Sequence, residues 1–164
     1  MREADRKILT LCIVHQHGKI LLGMKKRGFG QGRWNGFGGK VEVGESITQA
    51  AIRECQEEAG ITPQNVLHRG TLLFLFPIPQ TAHEVYIFSS TSFTGTPRET
   101  VEMQPRWFSV QEIPWQKMWP DDQYWLPLLL AGKLFNGTFT FDAQETIMEY
   151  TITERDEMRI SYDA

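Results

Sequence analysis

Apolar and polar positions follow two periods along this chain, and the period changes at glycine- or proline-marked boundaries. Residues 8–14, Ile-Leu-Thr-Leu-Cys-Ile-Val, form a short apolar run that predicts a buried strand. His17-Gly18 marks a turn, and residues 19–22 predict its return strand. Further strands are expected over residues 66–76, 84–90 and 106–110, and again over 135–141 and 147–152, where alternation returns. The helical period is found twice. Over 46–59, Ser46 and Gln49 have capping-box spacing, Gly60 follows as a C-cap would, and Pro63 prevents resumption. The second helical stretch covers 123–131, with Asp121-Asp122 before it and Gly132 just past it. Two helices among many strands predict an α+β fold, with a mixed β-sheet sandwiched between helices. Residues 23–44 obey neither period and are rich in glycine, and a loop of this length in a compact domain is usually functional.

Composition narrows the reading. A length of 164 residues, 41% of them apolar and 12% aromatic, supports one sizeable core, and no repeat or linker interrupts it, so one domain over 1–164 is expected. Lys and Arg number 17 against 20 Asp and Glu, a net charge of −3. A protein that grips a nucleic-acid polymer usually carries a basic excess, so a small charged ligand fits better. Cys12 and Cys55 lie in apolar stretches and read as buried hydrophobes, not as a disulfide or redox pair. Residues 1–7 are charged and lack the apolar segment of a secretory signal, and the longest apolar run, 126–131, is too short to cross a bilayer. No membrane partner is expected, and the chain reads as a monomer. A reducing compartment such as the cytoplasm is the expected location, with nuclear or mitochondrial pools open to it in a eukaryotic cell.

The first helix carries the chemistry. With Ile47 at zero and about 100° per residue, Ala50 falls near −60° and Ala51 near 40°, an apolar face. Glu54 then falls at about −20°, Glu58 at about +20° and Glu57 at about −80°, so carboxylates continue a stripe that began as core. Glu54 and Glu58 are like charges four residues apart, which costs about 0.2–0.5 kcal/mol on an exposed helix and more when partly buried. Carboxylates near a helix C-terminus also oppose the macrodipole. Something cationic must offset them. Arg53 is placed to pair with Glu57 at i, i+4 but to point away from Glu54, so a hard divalent cation is the better candidate. The preceding Asn35-Gly36-Phe37-Gly38-Gly39-Lys40 can bring bare backbone close to a ligand, with Lys25, Lys26 or Lys40 meeting phosphate oxygens as point charges.

Gly39, five residues, Glu45, seven residues and then Arg53-Glu54-Cys55-Gln56-Glu57-Glu58-Ala59-Gly60-Ile61 resemble the Nudix box, G-x5-E-x7-R-E-U-x-E-E-x-G-U with U a bulky aliphatic. Every charged and glycine position is filled, and the one departure is the small Cys55 at the first U. The likeness extends to Gly23-Met24-Lys25-Lys26-Arg27-Gly28-Phe29-Gly30, to residues 34–41, and to Met118-Trp119-Pro120-Asp121-Asp122 with Tyr124-Trp125 behind. There it is similar to the vertebrate-type MutT branch of that family, which acts on oxidised purine nucleoside triphosphates. It spans about residues 8–154 and is weakest over 77–84, a loop whose departure bears on substrate range.

The resemblance implies the Nudix fold and hydrolysis of oxidised purine triphosphates, 8-oxo-dGTP and 2-oxo-dATP among them, to a monophosphate and pyrophosphate. It implies Mg²⁺ as cofactor, with Mn²⁺ able to substitute, held by Glu54, Glu57 and Glu58, the Gly38 carbonyl and, from outside the helix, Glu102. Arg53 would orient the carboxylates by ion pairing, while Glu45 reads as structural, favouring the helix dipole. Phosphoryl transfer is mostly positioning and charge neutralisation, which is work these residue types do. Substrate contacts are carried over to Thr10, Lys25, Phe29, Asn35, Phe37, Gly38, Gly39, Lys40, Phe74, Met103, Trp119, Pro120, Asp121, Asp122 and Trp125. Asp121 and Asp122 are expected either to cap the following helix or to read the base edge through their protonation states. Two alternatives remain: a Nudix hydrolase for ADP-ribose or a dinucleoside polyphosphate, and a binding module that has kept only the fold.

Overall fold

A computed structural model describes residues 5–155. Its elements, in chain order, are β1 (Arg6–Gln16), β2 (Lys19–Lys25), β3 (Trp34–Asn35), α1 (Ile47–Ala59), β4 (Thr62–Gln64), β5 (Leu67–Pro77), β6 (Gln80–Ser90), β7 (Ser92–Thr94), β8 (Met103–Ser109), α2 (Asp122–Leu130), β9 (Leu134–Phe141) and β10 (Ile147–Arg155). One large sheet has the order β10-β9-β5-β6-β1-β2-β3, with β8 also paired to β2. The β1–β6 and β5–β9 pairs are parallel and the other pairs antiparallel, so the sheet is mixed as expected.

Alternation along the strands sends side chains to two faces. Cys12, Val14, Leu21 and Phe88 meet the Ala51, Cys55 and Ala59 stripe of α1 on one face. Ile13, Ile20, Leu22, Leu72 and Ile87 meet Trp125, Leu126 and Leu129 of α2 on the other. Burial of both faces by a helix each is the sandwich anticipated from the pattern. Helix α1 starts at the Ser46–Gln49 capping box and ends at Gly60, whose φ of 72° is the left-handed conformation glycine adopts without strain.

The structure departs from expectation in the segment 77–84. It is not a loop: β5 and β6 remain paired to Pro77↔Gln80, leaving only Ile78 and Pro79 as the turn. The polar letters Gln-Thr-Ala-His hide a strand because their alternate positions are only partly buried. The short strands β3, β4 and β7 carry too few residues for a period to register, and Pro63 sits in the two-stranded β4–β7 ribbon, where proline is tolerated at an edge. Cys12 and Cys55 are free and buried, as read, but their thiols touch across the β1–α1 interface.

Candidate active site

The glycine loop is stitched to the part of β1 that β2 leaves unpaired. Thr10 N donates to Gly39 O at 2.9 Å, Cys12 N to Phe37 O at 2.7 Å and Phe37 N to Cys12 O at 3.1 Å. Only glycine fits where this loop meets its neighbours. A Cβ on Gly38 would stand 1.8 Å from the Thr10 carbonyl oxygen, and one on Gly39 would stand 2.5 Å from Glu54 Oε1. The loop is therefore pressed between β1 and the carboxylates of α1.

On α1, Glu58 is 3% exposed and Glu54 is largely covered, while Glu57 lies at the open flank. The helical wheel placed all three correctly. Its placement of Arg53 is corrected. The Arg53 guanidinium folds back to donate to Glu54 Oε1 at 2.9 Å as well as to Glu57 Oε2 at 3.2 Å. It also donates to both oxygens of Glu45 at 2.7 and 3.0 Å and to Lys40 O at 3.0 Å. A long flexible stem reaches across positions that a wheel separates, and the planar fork serves several acceptors at once. Glu45 is accordingly a partner of Arg53, which pulls its carboxyl down to about 2, and not chiefly a dipole residue.

Glu58 accepts from Gly38 N at 2.9 Å and lies 3.7 Å from Lys25 Nζ. Burial pushes its carboxyl up to about 8; the Gly38 N–H and Lys25 pull it down, and Glu54 and Glu102 add repulsion. Burial raises Glu54 likewise, against the pull of Arg53. Glu102 is held by Arg27 and by Lys25 Nζ at 3.3 Å, and the Arg27 hydrogen bonds keep its carboxyl below the usual range. Lys25 thus bridges Glu58 and Glu102.

Among the described residues, no three Asp, Glu, His or Cys side chains converge as a ready metal cage. The glutamates turn instead to Arg53, Lys25 and Arg27, as mutually repelling carboxylates do when basic groups are in reach. The donor set nonetheless fits Mg²⁺. It is all oxygen, Mg²⁺ takes only one or two carboxylates with substrate phosphates and water completing its shell, and the raised carboxyls of Glu54 and Glu58 mark an excess of negative charge.

Beside Glu58 opens a cleft of about 330 Å³ between the α2 face of the sheet and the glycine loop. Its wall includes Thr10, Lys25, Asn35, Gly38, Gly39 and Lys40 together with Glu58, and also Phe29, Phe74, Met103, Trp119, Asp121, Asp122 and Trp125. Phe37 and Pro120 are corrections. Phe37 points into the opposite core against α1, since alternation along the loop reverses its face, and Pro120 lies outside the wall. Leu9, Leu11, Phe76, His83, Val85 and Phe141 also line the cleft and were missed. Residues 9 and 11 on β1 and 83 and 85 on β6 share one face, a signal that becomes legible only once the parallel register Leu9↔Val85 is known.

Asp121 and Asp122 are each 3% exposed at the floor. Asp121 Oδ2 accepts from Trp125 Nε1 at 2.8 Å, while Asp122 Oδ2 has no protein partner. Asp121 occupies the N-cap position of α2 in a helical conformation and makes no side-chain cap bond, so its capping reading falls. Burial raises both carboxyls, and Asp122 rises further through the charge of Asp121 beside it. Above them is an aromatic cluster: Phe29 lies 5.0 Å from Trp119, and Phe76 stacks on Phe141 at 5.1 Å. A charged, carboxylate-lined end joined to an apolar floor with two buried carboxyls suits a ligand that is anionic at one end and planar and hydrogen-bonding at the other.

A NUDIX domain model matches residues 5–129. The chain is 48% identical over 150 residues to the oxidised purine nucleoside triphosphate hydrolase of Mus musculus, covering 92% of this chain and 96% of that protein. It is 46% identical over 152 residues to the protein of the same name from Danio rerio, covering 93% and 97%. Among solved structures, it is similar to the MutT protein of Bacillus halodurans with a TM-score of 0.80 at 28% identity, covering 89% of this chain and 97% of that one.

Proposed function

The chain belongs to the Nudix family, and on that premise we propose that it hydrolyses oxidised or modified purine (deoxy)nucleoside triphosphates, including 8-oxo-dGTP and 2-oxo-dATP, to the monophosphate and pyrophosphate. The observation that carries this reading is one cleft lined by Glu58 of the α1 carboxylate helix and by the buried Asp121–Asp122 pair. The names of the mouse and zebrafish relatives support it.

Glu54, Glu57 and Glu58, with the Gly38 carbonyl and Glu102, are the groups that would hold Mg²⁺, or Mn²⁺ in its place. A metal bound there would neutralise phosphate charge and lower the pKa of the attacking water. The protein's own share is orientation and proton handling. Arg53 ties Glu54, Glu57 and Glu45 into one rigid unit. A glutamate of α1 accepts the proton of the water. Lys25 and Lys40 meet the phosphate chain, and Thr10 and Asn35 flank its nucleoside. Trp119 and Phe29 stack on the purine, and Asp121 and Asp122 face its pairing edge. An ionised carboxyl only accepts hydrogen bonds, whereas a protonated one also donates, so a pair sharing a proton can serve purines that present different donors and acceptors. We read the protein as a single-domain monomer that sanitises the nucleotide pool of an aqueous compartment such as the cytoplasm. No helix among the described residues is long and apolar enough to cross a membrane.

The test is pyrophosphate release from a nucleotide panel, with and without Mg²⁺. Metal-dependent cleavage of 8-oxo-dGTP and 2-oxo-dATP ahead of dGTP and dATP is expected. Preference for ADP-ribose or a dinucleoside polyphosphate overturns the reading.

A further inference from the structure

Arg33 is absent from the wall of the cleft, yet it touches what the wall depends on. Its guanidinium carbon lies 4.0 Å over the Trp119 ring. Its backbone is pinned at both groups: Arg33 N donates to Gly30 O at 3.1 Å, and Lys25 N donates to Arg33 O at 3.0 Å. Gly30 itself abuts the indole, since a Cβ there would stand 3.2 Å from Trp119 Nε1. The far end of Arg33 is held by Glu145, whose Oε1 accepts from Arg33 Nη1 at 3.0 Å.

Glu145 belongs to the turn between β9 and β10, and that turn is well braced. Asp142 Oδ1 accepts from Gln144 N at 2.8 Å and Thr146 N at 3.0 Å, and Asp142 N donates to Thr146 O at 2.9 Å. Glu145 sits there at a φ of 62°, a conformation that is uncommon for a residue with a Cβ. A partly exposed Arg–Glu pair contributes little to stability. This one, however, spans 112 residues of chain to place a cation on the indole that roofs the purine pocket.

We propose that Arg33, anchored by Glu145, is a positioning residue for the purine pocket: it holds the Trp119 indole in its stacking orientation and adds its positive charge beside the turn that carries Asp121 and Asp122. This rests on the purine reading above. The second part follows from where the charge sits. Trp119 O accepts from Asp122 N at 3.1 Å, so the residue under the guanidinium also starts the turn that carries the pair. The charged and titratable groups that share the cleft with the pair are Lys25 of β2, Lys40 of the glycine loop, Glu58 of α1 and His83 of β6. Arg33 is the cation whose field pulls both Asp121 and Asp122 down, against the burial that raises them. Without it, both carboxyls would bind protons more tightly, and the form able to accept from the base edge would persist only at higher pH.

Steady-state kinetics of the full chain with Mg²⁺ and 8-oxo-dGTP from pH 5 to 10 test this, using Arg33→Gln, Arg33→Lys and Glu145→Gln. Arg33→Gln is expected to raise KM about 3- to 30-fold, with a smaller change in kcat. It should also move the kcat/KM limb set by the pair to higher pH. Arg33→Lys keeps the charge but loses the planar contact, so its KM rises while its limb stays near that of the wild type. Glu145→Gln gives a smaller shift in the direction of Arg33→Gln. A merely structural brace would lower the melting temperature and leave the limb in place. The proposal is overturned if Arg33→Gln, or Glu145→Gln should that variant not fold, leaves both KM and the limb where they were. If the wild type cleaves no oxidised purine, the purine reading fails by itself. The variants are then compared on the nucleotide it does cleave, where unmoved KM and pH limb sink the Arg33 assignment as well.

Discussion

Two pairs of neighbouring carboxyls, Glu54 with Glu58 on α1 and Asp121 with Asp122 at the start of α2, flank one cleft, with Glu58 and both aspartates in its wall. Glu58 and both aspartates are buried, Glu54 is largely covered, and burial raises all four. Their surroundings differ. The glutamates lie among Arg53, Lys25, the Gly38 N–H and the mouth of the cleft, so ionised forms there have counter-charge within contact. The aspartates lie on an apolar floor with an indole N–H as a neutral donor, and the nearest aid from a cation is the field of Arg33. A carboxyl that burial raises but that has cations in contact is helped to ionise and is equipped to take a metal when it does. A carboxyl beside an indole and its own twin is equipped to keep a proton and donate it. Residue type alone does not separate these tasks.

The largest way to break the comparison is at the glutamates. Glu58→Gln keeps the shape and the bond from Gly38 N but removes the charge, and should cost about 10²- to 10⁴-fold in kcat at saturating Mg²⁺. Combined with Glu54→Gln, the loss should fall short of the product of the two, because the two carboxylates would serve one metal and act as a unit. Near wild-type pyrophosphate release from Glu58→Gln would mean that the cleft's mouth is not the metal end.

At the aspartates, the expected effect is on selectivity. Asp121→Asn and Asp122→Asn should each shift the kcat/KM ratio of 8-oxo-dGTP to 2-oxo-dATP by about tenfold, in different ways, since each alters one buried hydrogen-bond pattern. Stability sharpens the point. Asp122 is raised in the folded protein, so the unfolded chain releases its proton first as pH rises, and stability is lost from about pH 4 upward until the folded carboxyl ionises. Asp122→Asn removes that loss. Its melting temperature should exceed the wild type's at pH 8 and converge with it toward pH 4. An unchanged substrate ratio across pH 6–9 would leave the pair no part in reading the base.

The smallest effect belongs to the wall between the two ends. Ile78, at the tip of the β5–β6 hairpin, is 79% exposed, whereas His83 reaches the cleft and lies 5.4 Å from Phe29. Exchanging residues 77–84 should therefore act through His83. His83→Met should change relative kcat/KM among purines by about 2- to 10-fold and leave the metal dependence alone. Burial, aided by Lys7 and Lys40, pushes the imidazole down to about 4, so it is neutral through the working range and the change should be flat from pH 6 to 9. A pH-dependent effect, or equal loss on every substrate, would contradict this.

The glutamate end was legible because its parts are close in sequence. A capping box, an apolar stripe that turns acidic and glycines directly before it all fall between residues 35 and 61, and local helical geometry converts that spacing into a face. Arg53 escaped the wheel because its reach is set by three-dimensional neighbours. The floor was legible only as suspicion at Trp119, Asp121 and Asp122, with capping as a rival that the helical backbone of Asp121 removes.

What the sequence determined by itself was the set of elements with a clear period, the mixed α+β class and the identity of the carboxylate helix, because each depends on neighbours within a few turns of chain. What tertiary structure decided was which strands lie side by side. The parallel pairings of β1 with β6 and of β5 with β9 bring Leu9, His83, Phe76 and Phe141 to one wall. The Arg33–Glu145 pair closes a span of 112 residues over Trp119. Contacts of that range carry no local period: their residues are chosen by what they meet after folding, and one letter string is compatible with many such meetings until the sheet selects one.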